Sequence, residues 1–279
     1  MIAALVDNYP MTRLCAVLQC PRSTAYYPSQ RSDETGLLLA VEQHLLRYPY
    51  HGYRMVTAHL QRRGWPVGTT VVRGVLKQLG HTRQVGVVRI QTTDSQHPHP
   101  RYPNRIKGLA LQQPDQVWVG DITYIRLGRR FIYLAVILDA YSRAVRGWHL
   151  SERLTRQLTV TALRRALLNG TPTIFHSDQG SQYACWDHTA MLTAVGTRVS
   201  MSDAGKPMQN GLVERFIRTL KEEHVDYSDY EGFEDAYRQI AHWLEVEYMT
   251  QRLHSQLGYL TPLEFEGQRF TPAPYPLLN

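Results

Sequence analysis

The stretch Phe131-Ile-Tyr-Leu-Ala-Val-Ile-Leu-Asp narrows the fold more than any other part of this chain, because its first eight residues are apolar without a break. The run is too short to cross a bilayer, so protein has to bury it. Phe, Tyr, Val and Ile favour a strand, Gly128-Arg-Arg reads as a hairpin-like turn before it, and Asp139 closes it. A strand that is apolar on both faces belongs at the centre of a sheet covered by helices.

The neighbouring sequence supplies the rest of such a sheet. Gln116-Val-Trp-Val-Gly-Asp-Ile-Thr-Tyr-Ile predicts a first strand and Val145-Arg-Gly-Trp-His-Leu a third. Thr155 to Leu168 has helical spacing, with Leu158, Leu163 and Leu167 inward. A fourth strand fits Thr173 to Asp178, a helix Asp187 to Val195, and a fifth strand Arg198 to Met201. Two helices follow, Gln209 to His224 and Gly232 to Met249. The order β-β-β-α-β-α-β-α-α predicts an α/β class, with a mixed five-stranded sheet flanked by helices.

The front of the chain differs in charge as well as in texture. Residues 1–113 hold 14 Lys and Arg against 5 Asp and Glu, whereas the remainder holds 17 against 19. A basic front part meets a polyanion, and DNA is the default one, because Lys and Arg release its counterions. Helices fit 35–47, 53–63 and 69–79, with Gly64-Trp-Pro-Val-Gly as a turn and Gly80 as a cap. This predicts an all-α helix-turn-helix-like domain over 35–92, in which Arg73, Lys77 and Arg83 face DNA. An ordinary helical bundle with a solvated basic face is the plainer alternative.

The division expected is an N-terminal helical segment 1–34, the DNA-binding domain 35–92, a Pro-rich linker 93–113, a core 114–266 and a tail 267–279. His97 and His99 read as polar linker residues, since no cysteine pair lies nearby to complete a zinc site. Cys15, Cys20 and Cys185 are too few for a disulfide framework and fit a cytoplasmic setting. The first residues lack the pattern of a secretory signal, and no membrane association is expected.

Three acids stand where chemistry is done. Asp121 lies on the first strand, Asp178 ends the fourth, and Glu214 lies in the first turns of the helix after Gln209. An acid within an apolar sheet is costly unless something positive compensates it. Three carboxylates from two strands and a helix suit Mg²⁺ or Mn²⁺, and two such ions can clamp a phosphodiester. Phosphoryl transfer at DNA is the chemistry expected. A glycosidase fits less well, with three placed acids rather than two. On the same helix Glu214, Arg218 and Lys221 share a face at i, i+4 and i+7, which suits holding a DNA backbone, although an ion-paired solvated face has the same pattern. Asp139 reads as a structural or supporting acid, and Asp203 follows the fifth strand. His176, Ser177 and Asp178 are consecutive, so they alternate faces and do not form a serine triad. No Gly-rich phosphate loop indicates ATP.

These residues resemble a known family. Pro114-Asp-Gln-Val-Trp-Val-Gly-Asp-Ile-Thr-Tyr-Ile, His176-Ser-Asp-Gln-Gly-Ser-Gln-Tyr, Asn210-Gly-Leu-Val-Glu-Arg-Phe-Ile-Arg-Thr-Leu-Lys and Arg252-Leu-His-Ser-Gln-Leu-Gly-Tyr-Leu-Thr-Pro-Leu-Glu-Phe are similar to stretches of insertion-sequence transposases whose cores resemble retroviral integrases. His51-Gly-Tyr-Arg is similar to the family's helical DNA-binding segment. The resemblance spans about residues 35 to 266.

The resemblance implies an RNase H-like fold, a catalytic and metal-binding Asp121, Asp178 and Glu214 triad, and two Mg²⁺ (or Mn²⁺) ions. The 35 residues between Asp178 and Glu214 match the family spacing, and Lys221 matches its basic residue that contacts DNA ends. Asn210 and His176 are the residues expected to support the triad. The implied reaction is cleavage of element ends by water, then attack of the freed 3′-hydroxyl on target DNA. The implied partners are element and target DNA, further copies of the chain, and the product of an upstream overlapping frame. The implied location is the bacterial cytoplasm, at the nucleoid when bound to DNA. The alternatives are an RNase H-like nuclease that does not join strands and a DNA-binding protein that has lost the reaction. The chain departs from the family's frequent residues at Gly120 (threonine), Gln209 (acid) and Met249 (asparagine).

Overall fold

The computed structural model describes residues 11–17, 34–81, 100–203 and 210–270, which divide into two units, Met1–Thr82 and Arg83–Asn279. Arg83, His97, His99, Cys20 and Gln209 lie outside the described residues.

The first unit contains α1 (Met11–Val17), α2 (Glu34–Arg47), α3 (Tyr53–Arg62) and α4 (Thr69–Gln78). Leu37, Val41, Val56, Leu60, Val67, Val72 and Leu76 form its core. The spacing Leu37, Val41, Leu45 keeps one face of α2 inward, so Leu46 is turned to solvent and 87% exposed. The buried polar residue on that face is His44, whose Nε2 bonds Nδ1 of His51 at 2.9 Å. Gly80 ends α4 at φ +66°, with its N–H on the Lys77 carbonyl and that of His81 on Leu76. Arg73 and Lys77 are exposed on α4.

The second unit is built on β1 (Val117–Leu127), β2 (Arg130–Asp139), β3 (Val145–Ser151), β4 (Ile174–Ser177) and β5 (Arg198–Met201), in the order β3-β2-β1-β4-β5. The first three strands form an antiparallel meander, and β4 and β5 run parallel to β1. This is the mixed five-stranded sheet flanked by helices that the sequence predicts. The apolar run of β2 feeds two cores in alternation. Ile132, Leu134, Val136 and Leu138 face one, and Ala135 and Ile137 face the other. Near the hairpin tip Phe131 is 47% exposed and Tyr133 is only partly buried.

One face carries α5 (Arg156–Leu167), α6 (Ser181–Ala184) and α7 (Trp186–Ala194), packed through Leu158, Ala162, Leu163, Tyr183 and Leu192. The other carries α8 (Gly211–Glu223) and α9 (Phe233–His242), the latter continuing through wide π-helical turns over Trp243–Gln251. On α8 the buried residues are Val213, Phe216, Thr219 and Leu220, and Ile217 is partly buried. Each fully buried aliphatic or aromatic side chain contributes roughly 1.5–3 kcal/mol.

Two helices were not foreseen. α6 has four residues, too few to show periodicity. α10 (Pro262–Phe270) had a readable signal. In Thr261-Pro-Leu-Glu the Thr261 N–H bonds the Glu264 carboxylate at 2.9 Å, and the Glu264 N–H bonds the Thr261 hydroxyl at 3.2 Å, a capping box with proline at the first helical position. α10 is tied back to β3 by Arg146, which forks onto Glu266 at 3.1 and 2.7 Å and meets Asp115 at 2.9 Å.

Residues 100–113, within the stretch read as a linker, pack onto the second unit. Tyr102, Ile106 and Leu111 lie against its cores, and Arg105 bonds Ser200 and Val199 of β5. Three apolar anchors and one pair of hydrogen bonds explain why this segment is seated. No described helix is long and apolar enough to cross a membrane.

Candidate active site

The pairing register brings the first two acids together. β1 and β4 run parallel, with Val117 opposite Ile174, Trp118 opposite Phe175 and Val119 opposite His176. Asp178 is the first residue after the end of β4, and Asp121 lies two residues past Val119 along β1, paired with Val136 of β2, and points to the face of Val119. That face is the one covered by α8, which carries Glu214.

Electrostatics report the convergence. Burial, Asp178 and Glu214 push Asp121 up to about 8, against a hydrogen bond from the Ile122 N–H at 2.8 Å and the charge of Lys221. Asp121 keeps a small exposed surface, yet its surroundings are dense enough for burial to be the largest cause. Burial and Asp178 also raise Glu214, opposed by Arg218 one turn along α8. Lys221 is lowered by burial and held up by Asp226 and Asp121. The structure therefore brings Asp121, Asp178, Glu214 and Lys221 within one another's field, with Arg218 beside Glu214.

The carboxylate of Asp178 is held close to the backbone of Gly180. Its Oδ1 accepts the Gly180 N–H at 3.0 Å, and a β-carbon on Gly180 would lie 3.0 Å from that oxygen. Asn210 opens α8 at the N-cap position, but its side chain makes no cap. Its amide instead donates to the Gly120 carbonyl at 3.2 Å. Gly120 is closely packed, because a β-carbon there would lie 2.8 Å from Cζ of Phe175 and 3.2 Å from the ring of Tyr183.

Other expected residues have different roles. His176 is fully buried and bonds the hydroxyls of Ser200 and Ser202 through its two ring nitrogens, so it anchors β4 to β5. Asp139 is fully buried and accepts the N–H groups of Asp115, Tyr141 and Ser142, so it organises the β2–β3 turn. Burial raises its carboxyl even against these bonds. Glu223 leaves the Glu214 face and forms a two-pronged pair with Arg252 at 2.7 Å. In the first unit, Arg73 and Arg54 both lie over the Tyr53 ring, at 5.7 and 5.6 Å. Tyr183 is the residue beside the acids that the sequence reading gave no role. Its only signal was its place five residues after Asp178.

The three acids are hard oxygen donors that repel one another, which is the electrostatic condition a divalent cation relieves. Among the described residues no three acid, histidine or cysteine side chains already stand at the spacing of a closed ion cage.

Two integrase core domain families match the chain, over residues 112–207 and 195–262. The 31 kDa protein of insertion element IS600 from Shigella sonnei is 33% identical over 264 residues, covering 90% of this chain and 97% of that protein. Transposase InsF for insertion sequence IS3A from Escherichia coli (strain K12) is 30% identical over 274 residues, covering 94% and 95%. Among solved structures, the HTLV-2 integrase catalytic core domain in complex with magnesium covers 55% of this chain and 96% of its own, at 20% identity and a TM-score of 0.44.

Proposed function

The chain belongs to the insertion-sequence transposases with an integrase core, polynucleotidyl transferases that act on DNA, and we propose that Asp121, Asp178 and Glu214 carry its phosphoryl transfer. The observation that supports this most is that Asp121 in β1 and Asp178 at the exit of the adjacent parallel β4 lie within each other's field, with Glu214 on the helix that covers the Val119 face.

The three carboxylates fit Mg²⁺ or Mn²⁺ by donor type and by their mutual repulsion. Two ions held there would neutralise charge on the attacked phosphodiester and activate the attacking oxygen. The chain's own residues do the rest. Asp121 is held within β1 by its pairing with β2, and Asp178 follows directly on β4, so the sheet anchors the backbone of one acid and the approach to the other. Glu214 approaches from α8, whose packed face fixes its height over the sheet. Lys221 and Arg218 extend the same helix edge with positive charge, which holds a DNA backbone beside the acids. Gly180 accepts close approach at Asp178 because it has no side chain there. His176 and Asn210 support the site through β5 and β1.

The reading extends to the first unit, where exposed Arg73 and Lys77 on α4 would grip element DNA, with Arg83 following. It also extends to copies of the chain assembled on paired element ends, since two ends need two sites, and to a partner from an upstream frame.

Asp121→Asn and Glu214→Gln test the proposal. Each should abolish strand joining while DNA binding is largely kept. Full joining by either variant would refute it, and hydrolysis of element ends without joining by the unaltered protein would favour a nuclease.

A further inference from the structure

Tyr183 is 2% exposed, and among the described residues its hydroxyl has no hydrogen-bond partner. The ring is held from two sides, with centroids 6.1 Å from Phe175 and 5.3 Å from His188. Its oxygen reaches β1 at Gly120, where an added β-carbon would sit 3.4 Å from it. The bare glycine thus opens the strand at the residue before Asp121. The hydroxyl lies within electrostatic reach of both Asp121 and Asp178. Burial first, and those two carboxylates next, hold the phenol well above its ordinary value, so it remains a neutral donor.

A phenylalanine would fill the same core without burying an unpaired hydroxyl, which is destabilising. A buried donor without a partner, within electrostatic reach of two carboxylates, points to a state of the site in which it is used. We propose that Tyr183 is a positioning residue whose O–H donates to a carboxylate oxygen of Asp178 when this acid, together with Asp121, holds a divalent cation. The bond would fix the orientation of that oxygen and leave its other lone pairs for the ion, as donors behind metal ligands do. This rests on reading Asp121, Asp178 and Glu214 as the cation site.

The test is Tyr183→Phe in the full chain, with Mn²⁺ binding followed by electron paramagnetic resonance beside thermal unfolding without cation. Mn²⁺ binding should weaken by roughly 10-fold or more. The unfolding midpoint without cation should stay or rise, and added Mn²⁺ should restore strand joining. Wild-type Mn²⁺ affinity in Tyr183→Phe would overturn the proposal. So would a fallen midpoint, since the hydroxyl would then serve the fold. Asp121→Asn run alongside separates the two readings. If it loses Mn²⁺ binding while Tyr183→Phe keeps it, only the role of Tyr183 fails. If it too binds Mn²⁺ normally, the cation site itself fails, and the proposal with it.

Discussion

The amide of Asn210 donates to the carbonyl of Gly120 at 3.2 Å, across 90 positions of sequence. The residue that opens the Glu214 helix thus grips the residue that precedes Asp121. The bond is buried, and it links the two elements whose separation sets the spacing of two of the acids.

Asn210→Ala should therefore cost more in activity than in stability. Losing one such bond costs about 1 kcal/mol of folding free energy. Strand joining should fall about 10-fold, the response typical of losing a residue that supports metal ligands, and raised Mg²⁺ should recover part of it. Unfolding curves and joining assays over a Mg²⁺ series would check this. A drop in stability with joining unchanged at every Mg²⁺ concentration would reduce the bond to a structural tie.

Asp121 makes stability depend on pH in an unusual direction. Its folded value of about 8 lies above the ordinary 3.8, so between these values the folded chain holds a proton that the unfolded chain has released. The stabilisation is fully present below 3.8 and is lost as pH rises through about 8. Without cation, the protein should be less stable at pH 8 than at pH 5, and Asp121→Asn should flatten that difference. Cation binding displaces the same proton, so Mn²⁺ affinity should climb across this window with proton release. Equal pH profiles for wild type and Asp121→Asn would contradict the assignment.

Gly147 sets how closely α5 lies on β3. A β-carbon there would stand 2.5 Å from the Ala162 carbonyl oxygen and 2.6 Å from the Ala166 nitrogen, and both are backbone atoms that cannot turn aside. Gly147→Ala should destabilise by roughly 1–3 kcal/mol or more, as overpacking does. Gly120→Ala meets the ends of side chains instead and should cost less stability. Chemical denaturation of both variants would rank them. The reverse order would mean that α5 shifts more easily than Phe175 and Tyr183.

Much of the fold could be read from local pattern. The β2 run, the valines and isoleucines of β1, and the helical spacing of 35–47 and 69–79 act over a few residues, and the elements formed close to where they were expected. What escaped was short or capped rather than periodic. Four residues of α6 carry no period, and α10 announces itself only through Thr261 and Glu264. The seating of 100–113 depends on β5, nearly a hundred positions away, and no local pattern reports such a contact.

The candidate site divides along the same line. The types and spacing of Asp121, Asp178 and Glu214 stood in the sequence, together with the resemblance they carry. The tasks of the neighbouring polar residues did not. Asp139 became the builder of a turn, His176 the anchor of β5, Glu223 the partner of Arg252, and Tyr183 a hydroxyl beside two acids.

The sequence by itself determined the class of fold, the order of its strands and helices, and which acids lie on or directly after strands, because side-chain alternation and helical spacing are local properties. Only the tertiary structure decided that Asp121 and Asp178 come within each other's field, how far burial raises Asp121, and where Asn210 directs its amide. Those facts come from strand register and from the exclusion of water, and both exist only once distant segments have packed.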